Sequence, residues 1–267
     1  MSLRGAYLIT RLAELYRYRE LVKNLVVRDL KLRYRNSVLG FLWCLLNPLL
    51  MMGVFTMVFT VLLPNNTIEK FPVFILTGLL AWQLHSTALL GAINSIVSHA
   101  SLVQKVYFPR EVLPISLVLS STVNFLLSLV ALFVMVMLFQ VPLTGAVLLL
   151  PVVVAVQVVF TVGVALVLSA MNVYFRDTAS IMETLMLAWF FLTPIFYRIE
   201  DVFPVYSRLM YILNPPASFV AAYRDLLYYG VITDWTFFSR TAVTSAAMLV
   251  VGYVIFLKLS RSFGEAL

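Results

Sequence analysis

Three observations predict an all-α integral membrane protein with six transmembrane helices. Hydrophobic residues make up 62% of the 267 positions and the mean hydropathy is +0.99, whereas soluble domains average nearer one half apolar. Charged residues are only 12% of the chain, and they sit between uncharged runs about as long as the roughly 20 residues a helix needs to cross a bilayer. The net charge of +7 falls on one side of the resulting topology. It therefore reads as membrane orientation, with no nucleic-acid partner implied.

Residues 1–37 form the first element, a cytoplasmic interface segment. Within residues 4–24, Leu8, Leu12, Leu15 and Leu21 oppose Arg11, Arg17, Arg19 and Lys23, the pattern of an amphipathic helix lying in the membrane surface. A solvated basic arm held by anionic lipid is the alternative. The segment lacks the apolar stretch and small-residue cleavage site of a signal peptide. Arg28, Lys31, Arg33 and Arg35 then lead through Asn36-Ser37 into an apolar run containing Trp43 and Asn47-Pro48. A chain that lies along the cytoplasmic surface and pivots there into the bilayer is where a soluble partner can push.

Residues 38–267 form the transmembrane domain, with spans at Val38–Leu63, Pro72–Val97, Val112–Phe139, Leu143–Met171, Ile181–Tyr197 and Thr241–Leu259. The third and fourth, separated by Gln140-Val-Pro142, make a hairpin. The fifth is short and carries Pro194 near its outer end. Between the fifth and sixth, residues 204–230 alternate charges with apolar pieces, Val205–Leu213 and Ser218–Tyr229, around Asn214, Pro215 and Pro216. The prolines break the helix, which predicts two re-entrant half-helices; such backbone is tolerated only where protein or a water-filled cavity covers it. A plain external loop is the alternative.

With both termini inside, cytoplasmic segments hold 14 basic and 7 acidic residues, and the outer segments hold 5 of each. The positive-inside rule thus gives N-in, C-in.

Absences narrow the function. Charged groups deep within spans mark ion pathways and proton relays, and this chain has almost none: Glu183 lies within a turn of the inner end of the fifth span and Glu111 precedes the third. No inverted repeat is visible between the halves. No glycines have the G-x-x-x-x-G-K-[ST] spacing that cradles phosphates, so any energy source must be another chain. The single cysteine, Cys44, excludes an internal disulfide. His85 and His99 are too few for a metal cluster, and no catalytic residue set stands out.

Aromatic residues are abundant instead: 20 Phe, 13 Tyr and 4 Trp. At helical spacing, Phe41, Pro48, Met52, Phe55 and Phe59 share one face of the first span. In the fifth, Trp189, Phe190 and Phe191 precede Phe196 and Tyr197 at i, i+7. Sugar rings present flat C–H faces that suit such surfaces, so these residues could line a path along which a glycan slides. Ordinary lipid-facing or packing aromatics are the plainer explanation.

Four segments in register resemble the permease subunit of bacterial polysaccharide ABC exporters, which serve O-antigen, capsule and teichoic-acid export. They are Arg28-Asp-Leu-Lys-Leu-Arg-Tyr-Arg-Asn-Ser-Val-Leu-Gly-Phe-Leu-Trp43 with Asn47-Pro48; Asn172-Val-Tyr-Phe-Arg-Asp177; Leu192-Thr-Pro-Ile-Phe-Tyr197; and Leu213-Asn-Pro-Pro216 leading to Tyr223-Arg-Asp-Leu226. The second and third segments look closer to the O-antigen and related lipid-linked glycan type than to the capsule type.

The resemblance implies a homodimeric inner-membrane permease joined to two nucleotide-binding ATPase subunits, which bind ATP and Mg; this chain itself needs no cofactor. It implies a lipid-linked polysaccharide as substrate, typically on undecaprenyl diphosphate, with spans one and five lining the pore. It also implies a coupling helix within Ser98–Arg110, where Gln104, Lys105, Tyr107, Phe108 and Arg110 would meet the ATPase. Arg176 and Asp177 would be a second contact, or else a local ion pair at a helix start. Arg28, Lys31, Arg33 and Arg35 suit a diphosphate as well as they suit anionic lipid. Asn214, Pro215 and Pro216 would cap the exit. The Asn65-Asn-Thr67 sequon reads as chance in a bacterial protein.

Two other classes stay open at this point. One is an integral-membrane enzyme acting on lipid-linked sugars, with Arg224-Asp225 and Glu200-Asp201 as its polar cluster. The other is an ABC permease for a small lipid or drug.

Overall fold

The computed structural model describes residues 17–35, 40–62, 68–202 and 204–267, without the side chain of Phe41. Leu8, Arg11, Leu12 and Leu15 of the expected surface helix, the Asn36-Ser37 pivot and the Asn65-Asn-Thr67 sequon lie outside the described residues. All regular structure among those described is helical.

The surface segment is helix α1, Arg19–Tyr34, so Arg28, Lys31 and Arg33 sit on the helix itself. Helix α2, Trp43–Met57, continues as a π-helical turn over Val58–Leu62. Helix α3 is Phe71–Ile93, α4 the short Ala100–Lys105, and α5 Val112–Leu138. A 3-10 turn at Gly145–Leu149 opens α6, Leu150–Tyr174, and α7 is Thr178–Leu192. The connecting region holds α8, Ile199–Val202, α9, Ser207–Leu213, and α10, Pro215–Arg224, extended by a π turn to Tyr229. Helices α11, Trp235–Leu259, and α12, Phe263–Ala266, close the chain.

Five of these stretches are long and apolar enough to cross a bilayer. Helix α7, at 15 residues, is about 22 Å long at 1.5 Å per residue, short of the ~30 Å hydrocarbon core.

Several boundaries differ from the sequence expectation, for local reasons. The expected start of the first span, Val38, lies outside the described residues; Gly40, with a left-handed φ of +46°, opens a 3-10 turn to Leu42, and the α-helix begins at Trp43. The second ends at Ile93 instead of Val97: the Asn172 amide donates to the Ile93 carbonyl at 3.1 Å and to Asn94 Oδ1 at 3.1 Å, taking up acceptors that face the helix end. The fourth becomes α-helical only at Leu150, seven residues later than expected, and runs three residues further, to Tyr174.

The fifth shifts to Thr178–Leu192. Thr193 is extended, with ψ of 134°, as a residue before proline prefers. The sixth starts at Trp235 instead of Thr241, because Asp234 caps it by accepting from the backbone N–H groups of Thr236 and Phe237, both at 2.9 Å. Pro215 and Pro216 do not separate the two short helices. They open the second one, where proline's missing N–H costs nothing, and the break falls at Asn214.

Helix α3 is the axis of the bundle, with buried faces toward α5, α6 and α10. Helices α6 and α11 pack backbone to backbone: a Cβ on Gly163 would lie 2.6 Å from Met248 backbone atoms, and one on Gly252 only 2.2 Å from the Gly163 carbonyl oxygen. Small residues permit the close approach on which packing in lipid depends.

Buried polar groups staple the remainder. Gln157 donates to the Ala81 carbonyl at 2.7 Å and accepts from the Tyr223 hydroxyl at 2.8 Å, joining α6, α3 and α10. At one end of the bundle, α1, α4 and the chain terminus meet around Leu25, Val103, Phe108, Phe256 and Phe263. At the other, Lys70 Nζ donates to the Gln140 carbonyl at 2.7 Å and Thr144 to the Gly230 carbonyl at 2.7 Å.

Candidate functional site

The fold brings the aromatic residues of α2 and of the α7 region into one wall. Phe55 lies 5.8 Å from Phe190 and 6.4 Å from Phe196, and Phe59 stacks on Phe196 at 5.1 Å and 15°. Contact between Phe190 or Phe191 and Phe196 does not come from helical i, i+7 spacing. Pro194 ends the helix and the chain folds back, leaving Phe196 6.0 Å from Phe190 and 5.9 Å from Phe191.

Beside this wall is an apolar cleft of about 480 Å3 between α2, α3 and α7. Of the eight residues expected along an aromatic path, Phe55 and Phe190 line it. Met52, Phe59, Trp189 and Phe196 pack behind them against the α3 core. Tyr197 stacks on Phe196 at 5.4 Å and donates to the Leu192 carbonyl at 3.2 Å. The Phe41 side chain lies outside the described residues. Met51, Trp82 and Phe191 also line the cleft. Helical periodicity passes over Trp82 because it belongs to a different span.

Asn214 ties this region to the connecting helices. It accepts from Trp189 Nε1 at 2.9 Å, while its amide donates to the Leu192 carbonyl at 3.1 Å and to Thr193 Oγ1 at 3.2 Å. One side chain thus closes the frayed end of α7. Pro216 is buried beside it, and Pro215 half-buried.

Arg224 is the second clamp, fully enclosed and only 5% exposed. Its guanidinium donates to the carbonyls of Pro194 and Ile195, each at 2.6 Å, and lies 3.4 Å from the Phe74 ring centre. Room for it comes from Gly78, where a Cβ would lie 3.0 Å from Nη2. Arg224 is therefore committed to holding backbone, and Glu200 accepts from the Tyr211 hydroxyl at 3.0 Å. These bonds engage Arg224 and Glu200, two of the four residues of the polar cluster, in holding structure.

At the basic end, the four candidate residues have different surroundings. Arg28 donates to His99 Nε2 at 2.5 Å, and His99 Nδ1 lies 2.9 Å from the Ser95 carbonyl. An arginine only donates and a carbonyl only accepts, which fixes His99 as the Nδ1–H tautomer and makes it a link from α1 to the α3–α5 connection. Arg33 pairs with Asp29 at 3.7 Å, and Asp29 accepts from the Ser120 hydroxyl. Lys31 and Arg35 are exposed.

Within Ser98–Arg110, the helical part is only Ala100–Lys105. Gln104, Lys105 and Tyr107 point outward, Tyr107 being 81% exposed, whereas Phe108 is buried. Arg110 reaches back to donate to the Ser260 carbonyl and lies over the Phe263 ring at 5.8 Å. This bracing of the connection by the C-terminal turn has no signature in local sequence. Arg176 and Asp177 are exposed at the start of α7, and the Asp177 side chain makes no capping bond there.

The ABC-2 type transporter family matches residues 20–228. The chain is 40% identical over 255 residues to the O-antigen export system permease protein RfbA of Myxococcus xanthus, covering 95% of this chain and 98% of that one. It is 32% identical over 241 residues to the Klebsiella pneumoniae protein of the same name, covering 90% and 92%. The polysialic acid transport protein KpsM of Escherichia coli is 22% identical over 254 residues, covering 88% and 92%. With the match running from α1 through the last turn before α11, the chain belongs to the ABC-2 type transporter family of membrane proteins.

Proposed function

We propose that this chain is the permease of an ATP-driven exporter of a lipid-linked polysaccharide of the O-antigen type. The observation that carries this reading is the 40% identity to an O-antigen export permease along 95% of the chain. The aromatic wall between α2 and α7 supports it, because stacked rings give a saccharide apolar surface without a single strong binding site. ATP hydrolysis belongs to a partner subunit, which binds ATP and Mg; the permease is a transport subunit and not an enzyme.

In this reading two copies form the pore in the bacterial inner membrane, with both termini cytoplasmic and α7 as the short fifth of six crossings. Helices α9 and α10 dip into the outer leaflet, and Asn214, Pro215 and Pro216 cap the exit. Two ATPase subunits meet Gln104, Lys105, Tyr107 and the exposed pair Arg176 and Asp177, while Phe108 and Arg110 anchor that contact to the bundle. Closure of the ATPases pushes this surface and α1, and α2 and α7 move in response.

Purification of the tagged protein from native membranes in mild detergent tests the reading. A stoichiometric subunit with ATPase activity is expected, lost when Gln104–Arg110 is scrambled. A stable preparation with no such partner, turning over a lipid-linked sugar unaided, would overturn it in favour of a membrane enzyme.

A further inference from the structure

At the end of the bundle away from α1, a polar chamber of about 260 Å3 lies between the start of α3, the turn after α7, and helices α8, α9 and α10. Arg198, Glu200, Arg224 and Asp225 line it, together with Tyr211 and Tyr229. Only 12% of the chain is charged, so two guanidiniums and two carboxylates around one hollow are a marked concentration. Charges gathered in a half-enclosed place are costly unless they are paired or used.

These four are not paired with one another. Among the described residues the ion pairs are Lys23 with Glu20 and Arg33 with Asp29, both on α1. Arg224 spends its donors on backbone carbonyls and forms the floor. Arg198 is half-buried, and its buried Nε has no partner. Glu200 accepts from the Tyr211 hydroxyl at 3.0 Å, and a carboxylate has room for about four such bonds. The chamber thus keeps a donor and several acceptors unspent, side by side.

The balance of charge selects the ligand. An anion would meet both carboxylates, and a cation both guanidiniums. A neutral molecule with several hydroxyls gains from both signs, because each hydroxyl donates once and accepts twice. The Tyr211 and Tyr229 rings add apolar faces that suit the C–H surface of a sugar. Glu200 and Tyr229 are exposed at the mouth while Arg224 is buried at the floor, which gives the ligand an entrance. The volume falls just under the roughly 300 Å3 at which ordinary ligand pockets begin, so one ring fits and a chain does not.

We propose that this chamber binds one uncharged sugar unit, Arg198 donating to one hydroxyl while Glu200 and Asp225 accept from its neighbours. The site is separate from the aromatic wall: none of Phe55, Phe59, Phe190 and Phe196 lines it. The two are nonetheless joined through one turn, since Pro194 lines the chamber and Phe196 stacks on Phe59. This assignment rests on the glycan cargo proposed above and adds a contact for it at the end of the bundle opposite α1.

The test uses the full chain in phosphatidylcholine nanodiscs, titrated under saturation-transfer NMR. The probes are the methyl glycosides of glucose, galactose, mannose and rhamnose, with those of glucuronic acid and glucosamine as charged counterparts. At least one neutral glycoside is expected to bind in the millimolar range, at least tenfold tighter than either charged one. Arg198→Gln, Glu200→Gln and Asp225→Asn should each weaken it about tenfold, equivalent to about 1.4 kcal/mol. Ala221→Leu, which fills the chamber and removes no polar group, should abolish it.

Glu200→Gln and Asp225→Asn keep the side-chain shape, and melting temperatures confirm that each variant is folded. Failure of all four neutral glycosides to bind would overturn the proposal. So would charged sugars that bind as well as neutral ones, or binding that the four variants leave unchanged. An ATPase partner that co-purifies with a protein unable to bind these sugars would sink this site alone. Sugar binding that the variants weaken, in a protein with no ATPase partner, would sink the exporter reading and leave the site standing.

Discussion

Helices α2 and α3 are both long and apolar enough to cross a bilayer, yet 78% of an 18-residue apolar stretch of α3 is buried against only 6% of the corresponding stretch of α2 and its π turn. The connections behind those figures are of different kinds. Helix α3 is held by Gln157 at Ala81, by Asn172 at its end and by Arg224 at Phe74 and across Gly78. Helix α2 is held by the Ser128 bond to the Cys44 carbonyl and by ring contacts to Phe190 and Phe196. Its other face, with Leu50, Met51, Val54, Met57 and Val61, is exposed. Directional bonds and glycine contacts fix a frame, whereas rings against rings can slide at little cost. The described residues thus divide into a frame of α3, α5, α6, α10 and α11, to which Asn214 and Arg224 also pin the end of α7, and helix α2, held against α7 mainly by rings.

The strongest way to break that division is to spread the frame. Gly252→Ala would put a methyl group 2.2 Å from the Gly163 carbonyl oxygen, and the expected cost is about 3 kcal/mol, read as a lower melting temperature and loss of monodisperse protein. Gly53→Ala on α2 has nothing within 4 Å and should be neutral or stabilising by up to about 1 kcal/mol. If both substitutions behaved alike, the contrast between the helices would be lost.

Arg224→Met comes next. It leaves the carbonyls of Pro194 and Ile195 without their donor in a buried place, at a cost of about 2 kcal/mol. Proteolysis should then cut first between α7 and α9, ahead of any cut in α3 or α6.

A smaller effect is expected where α2 meets α7. A double-mutant cycle of Phe55→Ala and Phe190→Ala should give a coupling near 1 kcal/mol, with glycan export falling much further than stability. Equal losses in the two readouts would assign these rings to the frame.

The smallest effect concerns pH. The Asp234 carboxyl is held below the usual carboxylate range, first by the Thr236 hydroxyl and then by the Phe237 N–H. A depressed folded-state value means that its contribution is complete above the ordinary aspartate value of about 3.9 and fades as pH falls through the lower folded one. Asp234→Asn should flatten that acid limb in a melting-temperature series, leaving α3 and α6 unaffected.

Much of this architecture was legible in the sequence, because a bilayer imposes length and polarity on each crossing separately. Apolar runs located all five long helices, and Pro194 marked the end of the short one between the fourth and fifth of them. The double proline marked a break in the segment between α7 and α11, although Pro215 proved to begin a helix instead of dividing two. Helix ends were less legible, since Gly40, Asn172 and Asp234 set them through a backbone angle, a distant amide and a cap. The aromatic residues of α2 and α7 could be picked out individually, but their arrangement into a lining row and a packed row depends on how the two helices face.

The sequence by itself determined membrane residence, the positions of the crossings, the basic character of one end and the family, since each is written in local composition and in the order of short motifs. Only the tertiary structure decided which face of α2 is covered, that Arg224 is a clamp holding two backbone carbonyls, and that charges of both signs from α8 and α10 meet in one chamber beside Phe74. Those outcomes join residues tens of positions apart, and a pairing between distant helices depends on packing geometry, which no single stretch of chain contains.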